Sequence, residues 1–402
     1  MKPTAVILAG GKGTRFSPFV TNKTLWPLLG KVTLQHTIEA VSEAGIENII
    51  VVGSQNNENF LKSYQNASIN LVYRLQNEAL GMDDALKSVF DLVSTRPIIV
   101  LNAVDFFETN LIKRIVEKAE SSDYRLIVGG YKSDNLLPVG YYQLEGDKIV
   151  GVIEKPTQAQ KPSDVVRLVI DYFKDPDELI SLFDQFHNED TKDCRYEKSL
   201  DLLLGKYSAS IEYSAYWSKL KYPHYVLDVI NLLLKHKIQP FVHPSARIST
   251  RATIDGPVFI DSDARIDDFA VIRGPTYIGK RVLVGNHTLV RHSMIEEGTT
   301  IGFGSEIARS YVGPDCQIHH SFVGDSILEK AVNMSWGTVT ANLRLDRQNI
   351  RYKLPEGSVV DTNRAKLGAI IAKEAFLGVN VCTMPGVCIG ANAQILPSTV
   401  VQ

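Results

Sequence analysis

Cysteine is scarce in this sequence, and the cysteines present show no metal-binding or redox spacing. The four among 402 residues are Cys194, Cys316, Cys382 and Cys388. None belongs to a C-x-x-C pair, and their separations match no zinc site. Isolated cysteines of this kind are typical of reduced thiols, so we expect a cytoplasmic protein.

Long apolar runs and an excess of one charge are also absent. No apolar stretch approaches the roughly 20 residues that a membrane helix requires. The run Ala5–Ala9 is too short for a signal-peptide core and leads straight into glycines. Forty-three basic against 45 acidic residues leave a net charge of -2, so the charge balance suggests neither nucleic acid nor a membrane surface as partner. The length favours two or three domains, and an enzyme is the expected class.

The second half of the chain repeats an aliphatic residue at every sixth position. The longest run in one register is Val242, Ile248, Ile254, Ile260, Ile266, Ile272, Ile278, Val284 and Val290. A period of six fits neither an α-helix nor a simple strand. It fits a short strand and a turn per hexapeptide, with three hexapeptides closing one triangular coil. We therefore predict a left-handed parallel β-helix over residues 239–402.

Residues 1–238 lack this period and alternate strand-like with helix-like stretches. The strand-like runs are Ala5–Ala9, Ile49–Val52, Ile98–Leu101 and Leu126–Gly129. The helix-like stretches are Leu34–Ala44, Ala79–Leu92, Asn110–Glu120, Pro176–Phe186 and His224–Lys235, and Gly140–Gly151 has the pattern of a hairpin. Strand and helix in alternation predict an α/β domain with a Rossmann-like, parallel or mixed sheet.

A glycine-rich loop, Gly10-Gly11-Lys12-Gly13, follows the first strand. Glycines allow backbone N–H groups to approach a polyphosphate without intervening Cβ atoms. The loop lacks the third glycine of a Rossmann fingerprint and the Gly-Lys-Ser/Thr ending of a Walker A motif. By itself it is explained equally well as a plain turn, although Arg15 and Lys23 follow it closely and are suited to phosphate oxygens.

The longer sequence around this loop resembles the opening signature of the sugar-1-phosphate nucleotidylyltransferases. Matching motifs follow in the same order, at Pro18, Lys23-x-Leu25-x-Pro27, Gln76, Leu80–Ala85, Leu101-Asn102-x-x-Asp105, Gly140 and Glu154-Lys155-Pro156. With the hexapeptide repeats, the whole chain resembles the bifunctional N-acetylglucosamine-1-phosphate uridylyltransferase/glucosamine-1-phosphate acetyltransferases and their archaeal-type relatives. The resemblance implies a nucleotidyltransferase domain over residues 1–238 and the β-helix after it.

The resemblance also implies a role for each matched residue. Those that contact the nucleoside triphosphate are Leu8, Ala9, Gly10, Gly11, Gly13 and Thr14, with Gln76 and Gly81 at the base. Arg15 contacts the leaving pyrophosphate, Lys23 lies near the phosphates, and Asp105 holds Mg²⁺. Those that hold the sugar phosphate are Gly140, Glu154 and Lys155.

The implied reaction makes a nucleoside diphosphate sugar and pyrophosphate from a nucleoside triphosphate and a hexose 1-phosphate. The attacking phosphate oxygen is already ionised at pH 7, because its second pKa is about 6, so no general base is needed. The enzyme has to align the reactants and neutralise charge on the leaving group. Taken singly, Asp105 is explained equally well as a helix cap near Thr109, and Lys155 as a solvated hairpin residue.

Two positions depart from the family pattern. Where the family often has Asn-x-Gly-x-Tyr, this chain has Arg167 at the amide position, and we predict that Arg167 contacts the sugar, with a preference for an anionic one. Where many relatives carry a second metal carboxylate in a W-x-D pattern, this chain has Lys219. One carboxylate and triphosphate oxygens can still hold Mg²⁺, which needs few protein ligands.

The β-helix contains residues that resemble the acetyltransferase segment of the bifunctional family. His319 matches the general base, and Phe322 replaces a tyrosine. Asn342 matches the substrate- or base-orienting residue, and Lys366 a basic residue of the same subgroup. The implied chemistry is acyl transfer from acetyl-CoA to the amine of an amino sugar phosphate. Against it, His319 is explained equally well as a surface residue, and Trp336 stands where the family has a small residue.

Two function hypotheses remain open at this point. The first is a magnesium-dependent, multifunctional enzyme of nucleotide sugar biosynthesis that forms a homotrimer through its β-helix. The second is a non-catalytic sugar-nucleotide-binding or regulatory subunit of the same fold, favoured by Arg167, Lys219 and Trp336. The excursion Leu343–Asn363 interrupts the hexapeptides and is predicted to form an arm, for which a neighbouring subunit is one candidate partner. Neither the base nor the sugar is specified.

Overall fold

The computed structural model describes residues 2–76, 78, 80–186 and 195–402. Contacts between residues divide the chain into two units. The first unit contains the residues up to Lys12 together with Thr33–Trp217, and the second contains Gly13–Val32 and Ser218–Gln402. The segment Gly13–Val32, although near the start of the sequence, therefore groups with the β-helix, and the predicted boundary near residue 238 stays a prediction.

The α-helices are α1 (Thr33–Glu43), α2 (Gln55–Ser63), α3 (Met82–Lys87), α4 (Phe90–Val93), α5 (Asn110–Ser121), α6 (Pro176–Phe183), α7 (Arg195–Lys206) and α8 (Tyr225–Lys237). The strands before the repeats are β1 (Thr4–Leu8), β2 (Pro27–Leu28), β3 (Lys31–Val32), β4 (Asn48–Gly53), β5 (Asn70–Leu75), β6 (Ile98–Asn102), β7 (Asp105–Phe107), β8 (Leu126–Lys132), β9 (Gly140–Glu145), β10 (Lys148–Glu154), β11 (Val165–Phe173), β12 (Ala209–Tyr213) and β13 (Trp217–Lys219). Short 3₁₀ turns lie at Thr14–Phe16, Lys23–Leu25, Gln158–Gln160 and Asp184–Phe186. None of the described helices is long and apolar enough to cross a membrane.

The first unit is built on a nine-stranded mixed sheet, which confirms the predicted Rossmann-like α/β fold. Its order is β10-β9-β11-β6-β1-β4-β5, with β8 paired to β11 and β12 paired to β8. β1 runs parallel to both β4 and β6, whereas β11 is antiparallel to β6. The central β1 is almost continuously apolar because helices cover both of its faces.

The helix predicted over Ala79–Leu92 is divided into α3 and α4, and Ala79 itself lies outside the described residues. The Ser88 hydroxyl donates to the Ala85 carbonyl oxygen at 2.7 Å, and Val89 has a φ of -118° and a ψ of 11°. A serine that bonds its own helix backbone competes with the regular ladder, so the helix ends there.

The second unit contains the predicted left-handed parallel β-helix, whose coils form three eight-stranded parallel sheets. The first face consists of Phe241–Val242, Val258–Ile260, Thr276–Ile278, Met294–Ile295, Tyr311–Val312, Ile327–Leu328, Ile370–Ile371 and Cys388–Ile389. The second face consists of Arg247–Ile248, Arg265–Ile266, Leu283–Val284, Thr300–Ile301, Gln317–Ile318, Asn333–Met334, Phe376–Leu377 and Gln394–Ile395. The third face consists of Thr253–Asp255, Val271–Arg273, Leu289–Arg291, Glu306–Ala308, Phe322–Gly324, Val339–Thr340, Cys382–Thr383 and Val400–Val401.

The repeating aliphatic residues form the core of this β-helix. On the third face, Ile254 pairs with Ile272 and Ile272 pairs with Val290, one coil further along. Residues in the middle coils, such as Ile272 and Val290, are fully buried. The inward positions therefore stack into a continuous apolar column, as the hexapeptide period predicts.

The excursion Leu343–Asn363 forms a hairpin whose strands are Arg351–Lys353 and Val359–Asp361. It contacts the α8 region of its own chain: Tyr352 Oη lies 2.9 Å from Nδ1 of His224, and Arg364, just after the excursion, forms an ion pair with Asp228. Burial lowers the pKa of His224 to about 3, so this histidine is neutral at pH 7. The arm is thus anchored within the chain.

Three of the four cysteines are free thiols, in agreement with the sequence prediction. Burial raises the pKa of Cys316 to about 12, which keeps it protonated and unreactive at pH 7. Cys194 lies outside the described residues.

The core column makes a stability prediction with a control in the same column. Ile272→Ala should lower the free energy of unfolding by about 2–5 kcal/mol, because it leaves a cavity in a fully buried site. Ile254→Ala should cost much less, since Ile254 is 37% exposed in the end coil. Urea unfolding followed by circular dichroism measures both, and equal losses would contradict the stacked core.

Candidate functional site

The glycine loop begins at the carboxyl edge of the central sheet. Leu8, the last residue of β1, is level with Val52 of β4 and Asn102 of β6. The Ala9 amide donates to the Val52 carbonyl oxygen at 2.7 Å, and the Ala103 amide donates to that of Leu8 at 3.1 Å. These bonds fix the start of the loop at the edge where ligands bind in open α/β sheets.

Gln76 packs against this loop. A Cβ atom placed on Gly10 would lie 2.5 Å from Gln76 Oε1, so only glycine fits at that position without displacing the glutamine. The Gln76 amide nitrogen donates to Asp84 Oδ2 at 2.7 Å and to the Gly81 carbonyl oxygen at 3.4 Å. The structure thus brings the predicted residues Gly10, Gln76 and Gly81 together, with the orientation of the Gln76 amide fixed.

Two residues to which sequence reasoning gave no role complete this cradle. Asp84 orients Gln76, and the fully buried Asn57 donates from its side chain to the Ala9 carbonyl oxygen at 3.0 Å. Asn57 Oδ1 also accepts from the Ser54 amide at 2.9 Å. The spacing Ser54-x-x-Asn57 is that of a capping box, a signal in the sequence that could have located Asn57.

Asp105 lies immediately beyond β6, at the same edge of the sheet. It begins β7 and is 7% exposed, and Asn102 Nδ2 donates to its Oδ1 at 3.2 Å. It does not cap α5, because Thr109 is the residue before that helix. Among the described residues no group of three or more His, Cys, Asp or Glu side chains is arranged to hold a metal ion.

Gly140, Glu154 and Lys155, predicted to hold the sugar phosphate, are neighbours. Gly140 is opposite Glu154 in the hairpin, and a Cβ atom on Gly140 would overlap Glu154 Oε1. The Lys155 amide donates to the Val139 carbonyl oxygen at 3.1 Å.

Strand registers place Gly140 and Glu154 at the same edge of the sheet as Asp105. Ile170 of β11 is opposite Leu101 near the end of β6, and Val166 is opposite Tyr141, next to Gly140. Because β11 is antiparallel to β6, Val166 extends beyond the carboxyl end of β6. Gly140 and Glu154 therefore lie past that edge of the sheet.

Arg167 is buried instead of lining this edge as an open cation. It is 6% exposed, and its Nη2 donates to Asp171 Oδ2 at 2.7 Å. The Tyr196 hydroxyl donates to the same oxygen at 2.7 Å, and the Arg167 guanidinium lies over the Tyr196 ring. This arrangement favours a structural role, and the predicted contact with an anionic sugar stays a prediction without support from the burial.

The other residues predicted to contact the phosphates, which are Gly13, Thr14, Arg15 and Lys23, belong to the second unit. Gly13 has a φ of 71° and precedes the short turn Thr14–Phe16, which presents Arg15 to solvent. Lys23 Cγ lies 4.0 Å from a Cβ atom placed on Gly13, so Gly13 and Lys23 are neighbours.

The candidate acetyltransferase residues form a partial cluster on the β-helix. Asn342 Nδ2 donates to Asp325 Oδ2 at 2.5 Å, and Arg309 donates to both Asp325 oxygens at 2.6–2.7 Å. Phe322 and Asn342 both crowd Gly324, where an added Cβ atom would lie 2.6 Å from Phe322 Cζ.

His319 and Lys366 complete the predicted set for this chemistry, and Trp336 is the residue that argued against it. His319 and Lys366 are exposed, and Lys366 forms a β-bridge with Leu343, next to Asn342. Trp336 is 56% exposed and stacks on His320, with ring centroids 5.2 Å apart. Between described residues, no hydrogen bond links His319 to Asn342.

Comparison with known proteins matches both halves of the chain. A family model described as nucleotidyl transferase matches residues 4–204, and one described as GMPPB C-terminal domain matches residues 254–345. The bifunctional protein GlmU of Methanococcus vannielii is 32% identical over 97% of this chain and 93% of its own length. The bifunctional sugar-1-phosphate nucleotidylyltransferase/acetyltransferase of Sulfurisphaera tokodaii is 29% identical over 99% of this chain and 97% of its own length.

One solved structure extends the match to the fold of the first half. UDP-glucose pyrophosphorylase complexed with UDP-glucose superposes with a TM-score of 0.52 at 18% identity. The superposition covers 59% of this chain and 100% of that one. At this level of identity the likeness shows a shared fold.

The cradle around Gln76 can be tested at two adjacent glycines. Gly10→Ala should destabilise the protein without ligand by about 1–3 kcal/mol, because the new methyl group displaces the Gln76 amide from Asp84. Gly11→Ala should change the stability by less than about 0.5 kcal/mol, since a Cβ atom there meets nothing within 4 Å. Urea unfolding gives both values, and an equal effect of the two variants would contradict the described packing.

Proposed function

This chain belongs to the nucleotidyl transferase family as a sugar-1-phosphate nucleotidylyltransferase with a C-terminal left-handed β-helix, and from that premise we propose how it acts. A hexose 1-phosphate and a nucleoside triphosphate give a nucleoside diphosphate sugar and pyrophosphate. The observation that carries the proposal is the cradle at the carboxyl edge of the central sheet, where Gly10 packs on an oriented Gln76. Asp105 lies at the same edge.

The residues of this edge are suited to different parts of the substrates. A fixed Gln76 amide can recognise a base edge, because its nitrogen is already held by Asp84 and Gly81. Gly11 leaves open space that a phosphate can approach closely. Glu154 and Lys155 lie past the end of β6 and offer a hydrogen-bond acceptor and a cation to a sugar phosphate.

In the proposed reaction an oxygen of the sugar phosphate attacks the α-phosphorus of the triphosphate. The bond from that phosphorus to the bridging oxygen breaks, and pyrophosphate leaves. Arg15 and Lys23 stabilise the negative charge that develops on the pyrophosphate. No side chain has to remove a proton, because the attacking phosphate is ionised at pH 7.

The reaction as proposed uses Mg²⁺, and the residues present fit that ion. Asp105 is nearly buried at the sheet edge, with one oxygen bonded to the Asn102 amide. A single carboxylate suffices where triphosphate oxygens and water supply the other ligands. Magnesium held there would offset part of the triphosphate charge.

A second activity, acetyl transfer from acetyl-CoA to an amino sugar phosphate, is proposed for the β-helix. It is supported by the hydrogen-bonded group of Asn342, Asp325 and Arg309 close to Phe322. The relative from Sulfurisphaera tokodaii is named a bifunctional sugar-1-phosphate nucleotidylyltransferase/acetyltransferase. This chain aligns with nearly its whole length. His319 would act as general base, and its exposure leaves it accessible to a substrate.

The homotrimer and the cytoplasmic location remain part of the proposal. A trimer would form through the flat faces of the β-helix. Analytical ultracentrifugation of the purified protein measures the number of subunits, and fractionation of the source cells tests the cytoplasmic location.

The nucleotidyl site makes a direct prediction. Arg15→Ala and Asp105→Ala should each lower turnover by at least ~10²-fold, because the first removes a cation that stabilises the leaving pyrophosphate and the second removes the carboxylate proposed to hold Mg²⁺. Pyrophosphate release from a panel of nucleoside triphosphates and sugar 1-phosphates measures this, with the sedimentation coefficient as a check that the assembly is intact. If the wild-type protein binds these ligands but turns over no pair, the regulatory-subunit hypothesis is favoured instead.

The acetyltransferase site makes a separate prediction. His319→Ala should abolish acetyl-CoA consumption and leave pyrophosphate release unchanged, because the general base serves only acyl transfer. Free thiol released from CoA measures the first activity. His320→Ala serves as the control, because it removes the adjacent histidine, which stacks on Trp336 and has no proposed role as general base. Loss of both activities in His319→Ala would contradict two separate sites.

A further inference from the structure

Two buried glutamates interrupt a run of small residues on the β-helix. The position just after the first-face strand is occupied in five successive coils by Gly279, Glu296, Gly313, Glu329 and Ala372, whereas the two coils before them have His243 and Asp261. The two acids are 1% and 2% exposed. Burying a carboxyl group is costly unless hydrogen bonds replace its water, so the contacts of both need an explanation.

Glu329 is bonded by backbone amides. Its Oε1 accepts from the Thr21 amide at 2.7 Å, and its Oε2 accepts from the amides of Val20 at 3.4 Å and Lys373 at 2.9 Å. Two of these donors belong to the segment Gly13–Val32, which lies about three hundred residues earlier in the sequence. Both carboxylate oxygens are therefore used, and two of the three bonds hold this segment.

Glu296 holds the other end of the same segment. Its Oε2 accepts from the Gly30 amide at 3.1 Å. Burial raises the pKa of Glu296 to about 8, although the amides of Gly30 and Leu29 favour the charged form. At pH 7 this residue is therefore mostly a neutral acid, and its other oxygen, Oε1, is buried without a hydrogen-bond partner among the described residues.

Aromatic packing fastens the middle of the segment. Trp26 is fully buried, and its ring centroid lies 5.2 Å from that of Tyr311 on the first face. Phe16 and Phe19 pack on Trp26 at 5.1 and 4.6 Å. The Tyr311 hydroxyl donates to the Pro27 carbonyl oxygen at 2.8 Å. The segment is thus attached at several points along its length.

Of the two cations assigned to the triphosphate, Lys23 lies between these attachment points and Arg15 directly precedes the first of them. Arg15 directly precedes the buried Phe16, and Lys23 lies between Thr21 and Trp26. Fixing the backbone on both sides of a side chain limits where its charged end can reach. These attachments therefore limit the reach of Lys23 from both sides and that of Arg15 from its C-terminal side.

We propose that Glu329, Glu296 and Tyr311 of the β-helix are positioning residues for nucleotidyl transfer, holding the segment that carries Arg15 and Lys23. The inference rests on the proposed function of these two cations. It gives the β-helix a part in the first reaction, separate from any acetyl transfer. None of the three residues has to touch a substrate.

The test compares isosteric variants in the full-length protein. Glu329→Gln should raise the KM for the nucleoside triphosphate by roughly 10-fold and lower kcat, because an amide NH₂ then faces backbone N–H donors. Glu296→Gln should have a smaller effect, since it resembles the neutral acid and keeps an oxygen for Gly30. Tyr311→Phe, which keeps the ring on Trp26, should fall between them. The KM for the sugar phosphate should change less than about 2-fold in all three.

Glu297→Gln is the matched control. Glu297 follows Glu296 in the sequence, but it is about half exposed and forms an ion pair with Arg281 instead of bonding the segment Gly13–Val32. Amide hydrogen exchange gives a readout independent of activity. In Glu329→Gln, peptides from Gly13–Val32 should exchange faster, while β-helix peptides away from Lys373 stay protected. Faster exchange with unchanged KM and kcat, or unchanged exchange, overturns the proposal.

The design separates this proposal from the proposed function. If the wild-type protein releases no pyrophosphate from any substrate pair, the proposed function is wrong. The positioning proposal is then decided by the Kd values of UTP, dTTP and GTP, and equal Kd in wild type and Glu329→Gln overturns it. Should Glu329→Gln fail to fold, Tyr311→Phe decides the matter by the same measurements.

Discussion

Burial of Trp26 against Tyr311 determines which parts of this chain belong together. The contact joins a segment near the start of the sequence to a coil in the middle of the β-helix. An aromatic pair of this kind contributes beyond the area it buries, and its geometry is directional. Around it, carboxyl groups bond the backbone amides of Thr21 and Gly30. The glycine loop continues directly into this attached segment.

The attachment also explains why acids stand inside an otherwise apolar repeat. Glycine or alanine at this position lets one coil pack closely on the next, as at Gly313, where a Cβ atom would meet backbone atoms of Glu329 at 2.8 Å. The β-helix gives up that close packing at Glu296 and Glu329, whose carboxyl groups accept backbone hydrogen bonds. Buried polar groups are tolerated where they are bonded, and such groups fix one arrangement over others.

Much of the fold could be predicted from the sequence, because its signals are local or repeated. Each hexapeptide specifies the same inward position, so the period alone places Ile272 and Val290 in the core. The strands and helices that were predicted in the first unit agree with the structure to within a few residues, except where Ser88 ends a helix that the apolar pattern continues. Other elements of that unit, among them α2, β5, β11, α7 and β12, had no predicted counterpart. Gly10, Gln76 and Gly81, which the resemblance assigned to one ligand, are neighbours in the structure, and their role stays a prediction.

The docking of the segment could not be predicted in the same way. The Thr21–Glu329 bond spans 308 residues and the Gly30–Glu296 bond spans 266, and no local pattern reports contacts at that separation. The signal that was present, an acid where neighbouring coils have glycine, acquires meaning only once the coils are stacked. Arg167 shows the converse: its charge suggested a ligand, whereas its guanidinium pairs with the buried Asp171 and lies over the Tyr196 ring, and the contact with a sugar stays a prediction.

The division of the chain between Lys12 and Gly13 has a consequence for how such a gene can change. Recombination that exchanged the C-terminal half for a β-helix from an unrelated protein would keep the reading frame and the hexapeptide architecture. It would nevertheless leave residues 13–32 without their carboxyl and aromatic partners. The two halves are therefore expected to be inherited together, and hybrids to succeed only when the donor β-helix brings the same acids and tyrosine.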